Sequence, residues 1–179
     1  MVNAVYAKKN CMKKHHFLLL LPVCLLTAVL QPQLSVAQNK KDSAKIAKIT
    51  ELIVNQHYTF KAQTTTPLAG RLRQLTSDYD LQVSKDAIVS QLPYFGRAYS
   101  APINPSDGGI QFTSKDFEYT LTDKKKGGWD VTIKFKDVKD VQQMQLSIFN
   151  NGTASLQVTS NNRQAISYSG YITSNAKQK

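Results

Sequence analysis

Apolar and polar residues alternate with a period of two through the C-terminal part of the chain, and this pattern constrains the fold most. Polar or charged residues separate Trp129, Val131, Ile133 and Phe135. Successive side chains of a strand point to opposite faces, so such alternation indicates antiparallel sheet with one packed and one solvated face. We therefore expect one shared core, formed by Trp129, Val131, Ile133, Phe135, Leu146, Ile148, Leu156, Val158 and Tyr168.

Short segments rich in Gly and Asn separate these alternating runs. Three of them are Lys126-Gly127-Gly128, Asn150-Asn151-Gly152 and Ser160-Asn161-Asn162. Gly and Asn tolerate the positive φ angles of tight hairpin turns. The sequence therefore predicts a mainly β fold of the α+β type, in which an antiparallel meander forms a barrel or a two-layer sandwich.

One amphipathic helix is predicted before the strands, over about Ser43 to Asn55. Apolar residues recur there at intervals of three and four, with charged residues opposite them. Asp42 or Ser43 is a suitable N-cap, and residues 38–42 are expected to be a flexible lead-in. We expect the apolar stripe of this helix to pack on the sheet.

The middle of the chain predicts shorter strands. Runs near Arg71–Leu75 and Leu81–Ser84 flank Ser77–Asp80, whose residue types favour a turn. A further strand is expected over Tyr94–Ser100, and a loop over Ile103–Gly109, which contains proline and glycine.

The N-terminal segment has the pattern of a secretory signal peptide. Lys13 and Lys14 precede an apolar run over residues 17–30, and Ser35-Val36-Ala37 places small residues where a signal peptidase cuts. We expect cleavage after Ala37, which divides the chain into a signal peptide over residues 1–37 and a single domain over 38–179. The apolar run is shorter than the roughly 20 residues of a membrane span, so the mature protein is expected to have no transmembrane helix.

Both cysteines, Cys11 and Cys24, lie in this leader, so the mature domain has no disulfide. Val23 is too large for the residue before a lipidated cysteine, and the apolar run continues past Cys24. We therefore expect cleavage rather than a lipoprotein anchored at Cys24.

The charge and the composition of the mature domain exclude some classes of binding partner and cofactor. The leader holds four lysines and no acid, so the net charge of +11 becomes 11 − 4 = +7 in the mature domain. Its lysines are scattered along the chain, which argues for a solvated surface and against a nucleic-acid partner. His57 is the single histidine of the mature chain, so we expect no metal site, no cofactor and no catalytic triad.

The segment Leu92–Tyr99 is the candidate ligand-binding site. It holds three aromatic residues, one arginine and one glycine within eight positions. Tyr94, Arg97 and Tyr99 are the candidate residues, because an arginine between aromatic rings suits an anionic or hydroxyl-rich group. The alternative is that the aromatic rings fill the core and Arg97 is internally paired. Asn162-Arg163 is a weaker second candidate.

The sequence resembles a known family through several blocks. The most specific is Leu92-Pro-Tyr-Phe-Gly-Arg-Ala-Tyr99; others are Phe60–Gln63, Gly109–Phe112, Asn151–Leu156 and Arg163–Gly170. Together they resemble domain-of-unknown-function family 4251, a family of exported proteins from Bacteroidetes-type bacteria. The resemblance implies a periplasmic or envelope location in a Gram-negative cell, and it implies no activity.

In such bacteria, Asp42-Ser43-Ala44 resembles an O-glycosylation acceptor, which makes Ser43 a candidate modification site.

These observations favour an exported, non-enzymatic cell-envelope protein that binds an envelope component or a small ligand, or that acts in assembly. The alternative is a barrel-type carrier of an apolar or amphiphilic small molecule. An envelope glycan hydrolase is least favoured, because most acids lie in predicted turns or on solvated strand faces.

Overall fold

The computed structural model describes residues 33–99 and 108–175. Residues 33–41 fall in a first compact unit, and the chain from Asp42 onward forms a second, which contains the whole sheet. The predicted signal peptide lies largely outside the described residues. The elements are α1 Gln33–Val54, β1 Tyr58–Pro67, β2 Arg73–Val83, β3 Ile88–Leu92, β4 Ile110–Ser114, β5 Phe117–Asp123, β6 Trp129–Phe135, β7 Val141–Ile148, β8 Thr153–Ser160 and β9 Ile166–Ser174.

All nine strands form one antiparallel sheet in the order β4-β3-β2-β1-β9-β8-β7-β6-β5. The two edge strands, β4 and β5, are consecutive in the chain and are joined only by residues 115 and 116. Together they form one bent arm that pairs first with β3 and then with β6. The sheet therefore curls into a nearly closed barrel. The predicted fold class is confirmed, and the barrel is the alternative that the chain adopts.

Side chains lock the corner of this arm to the β6–β7 turn. The Ser114 hydroxyl donates to Asp137 Oδ1 at 2.5 Å, and the Lys115 and Asp116 amides donate to Asp137 Oδ2 at 2.8 and 3.2 Å. These donors hold the pKa of Asp137 below its ordinary value, the serine hydroxyl contributing most. An exposed carboxylate thus holds the corner between the two edge strands.

The barrel interior is a packed core. Of the nine predicted core residues, eight are buried, and Phe135 is half-buried against them. Tyr58, Phe60 and Tyr168 are fully buried and fill much of the space between the walls. The core prediction is confirmed, because one face of each alternating strand lies inside the barrel. The three predicted hairpin turns also lie where expected, between β5 and β6, β7 and β8, and β8 and β9.

Helix α1 packs on the barrel through the predicted stripe, and Ile49 and Ile53 are buried. The Tyr119 hydroxyl of β5 donates to the Ile53 carbonyl at 3.3 Å and lies 3.3 Å from the Tyr58 hydroxyl. Burial raises the pKa of both tyrosines, so both remain neutral donors. The end of the helix is therefore attached to the β5 wall and to the core.

The predicted start of α1 is wrong. The helix begins at Gln33 rather than at Ser43, so Asp42 and Ser43 lie inside it and the expected flexible lead-in is helical. No proline or glycine interrupts residues 33–42, so nothing stops propagation there. The helix ends at Val54, where Gln56 adopts a φ of 51°. The Gln56 and His57 amides bond to the Ile53 and Leu52 carbonyls, the pattern of a Schellman cap.

The predicted turn at Ser77–Asp80 is also wrong. Strand β2 runs without a break from Arg73 to Val83. Ala62 pairs with Tyr79 and Thr64 pairs with Gln74, so the four residues 75–78 lie opposite the single residue Gln63. Residue types that favour a turn have thus produced a large bulge, because β1 is long enough to pair with β2 on both sides of it.

Candidate functional site

Residues 93–99 are irregular, so the strand predicted over residues 94–100 is wrong in its described part. Beyond Leu92 the regular ladder stops, and a single bridge joins Ala98 to Arg163. The Tyr99 amide bonds to the Asn162 carbonyl at 2.8 Å. Pro93 has no amide hydrogen for the ladder, which accounts for the break. The predicted loop over Ile103–Gly109 lies mostly outside the described residues.

Tyr94 pins this segment to the turn between β8 and β9. Its hydroxyl lies 2.8 Å from the Arg97 carbonyl and 3.0 Å from the Gln164 carbonyl. The ring folds over Gly96, where a Cβ atom would lie 2.5 Å from the tyrosine oxygen. Desolvation is the main reason why the pKa of Tyr94 is raised. Tyr94 therefore has a structural role in holding the segment.

Arg163, the weaker candidate of the sequence analysis, is the arginine that pairs with Tyr94. Its guanidinium carbon lies 5.2 Å from the Tyr94 ring centroid. Nη1 donates to the Gly109 carbonyl at 3.0 Å, and Nε lies 3.1 Å from Asp140 Oδ2. The side chain is only 12% exposed. Arg163 therefore ties together three separate segments of the barrel, which is the internal pairing considered for Arg97.

Among the described residues, no hydrogen bond, ion pair or ring contact joins the side chains of Tyr94, Arg97 and Tyr99 to one another. Arg97 is exposed, and within the described residues its guanidinium has no hydrogen bond or ion pair. Tyr99 is 69% exposed. A ligand role for these three residues stays a prediction. Ser43, the candidate glycosylation site, is an exposed residue of α1, and its modification stays a prediction as well.

A cavity of about 430 Å³ lies between α1 and the end of β9. Ile49, Leu52 and Ile172 supply apolar surface, and Lys45 and Lys48 of the helix stand at its rim. Lys45 and Lys48 are exposed, and neither forms an ion pair within the part of the chain that the structure describes. The cavity thus combines an apolar floor with uncompensated positive charge.

Two further cavities lie over the first four strands. One, of about 260 Å³, is lined by the β2 bulge together with Lys61, Gln63 and Tyr171. The other, of about 460 Å³, is lined by Gln91 and Gln111 among other residues. Both are predominantly polar in their lining residues.

The residues of these cavities were not predicted from the sequence. Tyr171 carried a usable signal, because it is an aromatic residue on the solvated face of an alternating strand, between Gly170 and Ile172. The sequence around Lys61 and Gln91 gives no such signal, because strand pairing with β2 brings these two residues together. Among the described residues, no three His, Cys, Asp or Glu side chains cluster in a way that could hold a metal ion. None of the described helices is both long and apolar enough to cross a membrane.

The chain is similar to known proteins both in sequence and in structure. A family model described as Domain of unknown function (DUF4251) matches residues 40–172. The chain is also similar to the crystal structure of a DUF4251 family protein from Bacteroides eggerthii DSM 20697, with a TM-score of 0.55 and 15% identity, over 75% of this chain and 91% of that chain. At this identity the structural likeness concerns the fold alone. No curated protein matches the chain.

Proposed function

Because the chain belongs to the family described as Domain of unknown function (DUF4251), as the sequence blocks predicted, and because that membership assigns no activity, we propose a function from the cavities. The protein is an exported, non-enzymatic binding module of the cell envelope. Its ligand is an anionic amphiphile, held in the cavity between α1 and β9. The predicted leader, with cleavage after Ala37, supports export.

The observation that carries this proposal is the pairing of charge and apolar area in one cavity. Lys45 and Lys48 lie three residues apart and therefore share one side of the helix. Ile49 and Leu52 lie beside them and face the same cavity. A volume of about 430 Å³ is sufficient for a small ligand. An anionic head group would pair with the ammonium groups while its apolar part covered the cavity floor.

A carrier function inside the barrel was the alternative from the sequence. Tyr58, Phe60 and Tyr168 occupy the interior and are fully buried. A ligand there would have to displace well-packed core side chains, each displacement costing about 2–5 kcal/mol. The amphiphile is therefore placed outside the core, against the helix.

Binding of dansyl-undecanoate, a fluorescent fatty acid, tests this function. We expect saturable binding that weakens as salt rises, because the head group is held by partly exposed charges. The Lys45→Ala/Lys48→Ala double variant should bind roughly 3- to 10-fold more weakly. Lys139→Ala is the matched control, since Lys139 is an exposed lysine of the β6–β7 turn. Equal binding of the neutral dansyl-undecanol would refute the role of the lysines.

Export is tested separately. N-terminal sequencing of the protein recovered from the periplasm or envelope of the producing cell should begin at Gln38. A lipid-modified N-terminus at Cys24, or retention of the intact leader in the cytoplasm, would contradict the proposed route.

A further inference from the structure

Five outward-facing side chains form a straight row across the first part of the sheet. The pairing registers place Tyr171 of β9 opposite Lys61 of β1, and Lys61 opposite Asp80 of β2. Asp80 in turn pairs with Gln91 of β3, and Gln91 pairs with Gln111 of β4. Directly paired residues point to the same face. With about 4.8 Å between strands, the row spans roughly 19 Å.

The cavities of this face connect along the row. Tyr171 lines both the α1–β9 cavity and the 260 Å³ cavity at the β2 bulge. Asp78 and Tyr79 line both the bulge cavity and the 460 Å³ cavity that contains Gln91 and Gln111. The bulge cavity and the 460 Å³ cavity together form one groove, which we call the transverse groove, and Tyr171, Lys61, Gln91 and Gln111 of the row line it.

The bulge of β2 forms one wall of the transverse groove. The four bulged residues 75–78 of β2 line the central cavity. Gln63, opposite them on β1, is itself an extra residue relative to β9, because Ala62 pairs with Gly170 and Thr64 with Ser169. The pairing of β1 is thus irregular at Gln63 toward both of its neighbours, β2 and β9. Bulges redirect the side chains around them and are common beside functional sites.

The chemistry of the floor is that of hydrogen bonding to neutral polar groups. Glutamine amides both donate and accept hydrogen bonds. Tyr171 is 43% exposed and offers a ring face with a hydroxyl. The two charged residues that line the groove, Lys61 and Asp78, sum to zero, and Lys61 is already paired with Asp80, which disfavours a polyanion.

Asp80 holds the ammonium group of Lys61 in place on the outer face of the sheet. It is 8% exposed, and its Oδ2 accepts from Lys61 Nζ at 2.9 Å. Its Oδ1 is buried and has no hydrogen-bond partner within the described residues. Oδ1 is closed to solvent and is therefore not a ligand contact. The ammonium group of Lys61 has three hydrogens, so those not bonded to Asp80 can donate to a ligand hydroxyl.

We propose that the transverse groove binds a neutral, hydroxyl-rich chain, an oligosaccharide laid across the strands with one ring stacked on Tyr171 and the next residues bonded by Lys61, Gln91 and Gln111. This ligand is distinct from the amphiphile of the α1–β9 cavity, although Tyr171 borders both. An extended peptide is disfavoured, because the groove crosses the face of the sheet and meets a strand edge only at its β4 end.

Isothermal titration of the mature protein with maltotetraose, cellotetraose and tetra-N-acetylchitotetraose tests the proposal. We expect at least one to bind, and Tyr171→Ala to weaken that binding about tenfold. Gln91→Ala and Gln111→Ala should each weaken it about threefold or more. Gln157→Ala is the matched control, since Gln157 is an exposed glutamine of β8 that lines none of the three cavities. A thermal melt of each variant checks that the variant is folded.

The outcomes separate the two proposed ligands. Gln91→Ala and Gln111→Ala should lose oligosaccharide binding and keep dansyl-undecanoate binding, because neither residue lines the α1–β9 cavity. If none of the three tetrasaccharides binds at about 10 mM, the transverse groove is not an oligosaccharide site. Equal losses in Gln157→Ala and Gln91→Ala would also overturn the assignment, as would tighter binding of an extended polar peptide in the same groove.

Discussion

Replacing Arg163 by alanine should destabilise the domain far more than replacing Arg97. Arg163 forms a charge-assisted bond to Asp140 at 3.1 Å, donates to the Gly109 carbonyl at 3.0 Å, and stacks on Tyr94. Hydrogen bonds of charged groups contribute about 1.5–3 kcal/mol, and a cation–π contact about 0.5–1 kcal/mol. Asp140 is 34% exposed, so solvent screens part of the ion pair. We therefore expect a loss of about 2–4 kcal/mol for Arg163→Ala.

The exposed guanidinium of Arg97 has no such contacts within the described residues, so Arg97→Ala should change the free energy of unfolding by less than about 0.5 kcal/mol. Urea denaturation of the two variants and the parent, at matched pH and salt, measures both effects. A double-mutant cycle with Asp140→Ala isolates the ion pair, and we expect a coupling of about 1 kcal/mol.

Arg163→Lys is the informative control. Lysine keeps the positive charge but lacks the planar fork that reaches Asp140 and Gly109 together, so stability should be only partly restored. If Arg97→Ala lowers stability as much as Arg163→Ala, Arg163 is not the structural anchor and our account of the Leu92–Tyr99 segment is wrong.

Three further perturbations test the fold. Ile133→Ala should lower the free energy of unfolding by about 2–5 kcal/mol in denaturant melts, because Ile133 is fully buried. Thr132→Ala, on the opposite face of the strand, should lower it by less than about 1 kcal/mol. Similar losses in the two variants would contradict the alternation of buried and solvated residues. Gly170→Ala should prevent normal folding, because the added Cβ would collide with the Lys61 carbonyl, and circular dichroism spectra should show the loss of sheet. The folded pKa of Asp137 is lowered, so its stabilisation is complete above about pH 3.9 and is lost as pH falls through that lowered value; Asp137→Asn should remove this part of the acid dependence, and an unchanged acid profile would refute it.

Local patterns predicted much of this structure. The strands from β6 to β9 followed from alternation, because a slip of one residue would expose every core side chain. The hairpin turns followed from Gly127 and Gly152, which adopt φ angles of 87° and 82°. Both signals operate within a few residues, so the sequence alone sufficed.

Features that depend on distant pairing could not be predicted. The bulge in β2 exists because β1 pairs with β2 on both sides of it. The residues around Ser77 carry no information about the length of β1, so the local sequence predicts a turn. The transverse groove likewise arises from β9 lying beside β1, which brings Tyr171 next to Lys61. The sequence marks Arg163 only as a weak candidate, because its partners Asp140 and Tyr94 are remote in the sequence.

The position of β9 beside β1 has a consequence for the order of events during biosynthesis. Tyr58 pairs with Ser174, so the centre of the sheet joins the first of the described strands to the last of them. The hairpins on either side can form from local contacts, but this central pairing must close a loop of over 100 residues, which costs about 4 kcal/mol of chain entropy. The barrel therefore cannot be completed until the last strand has been synthesised. Until β9 is available, β1 and β8 each keep one unpaired edge, and an unpaired strand edge can pair with another chain. The interval before β9 emerges is therefore the one in which this sheet is most exposed to aggregation.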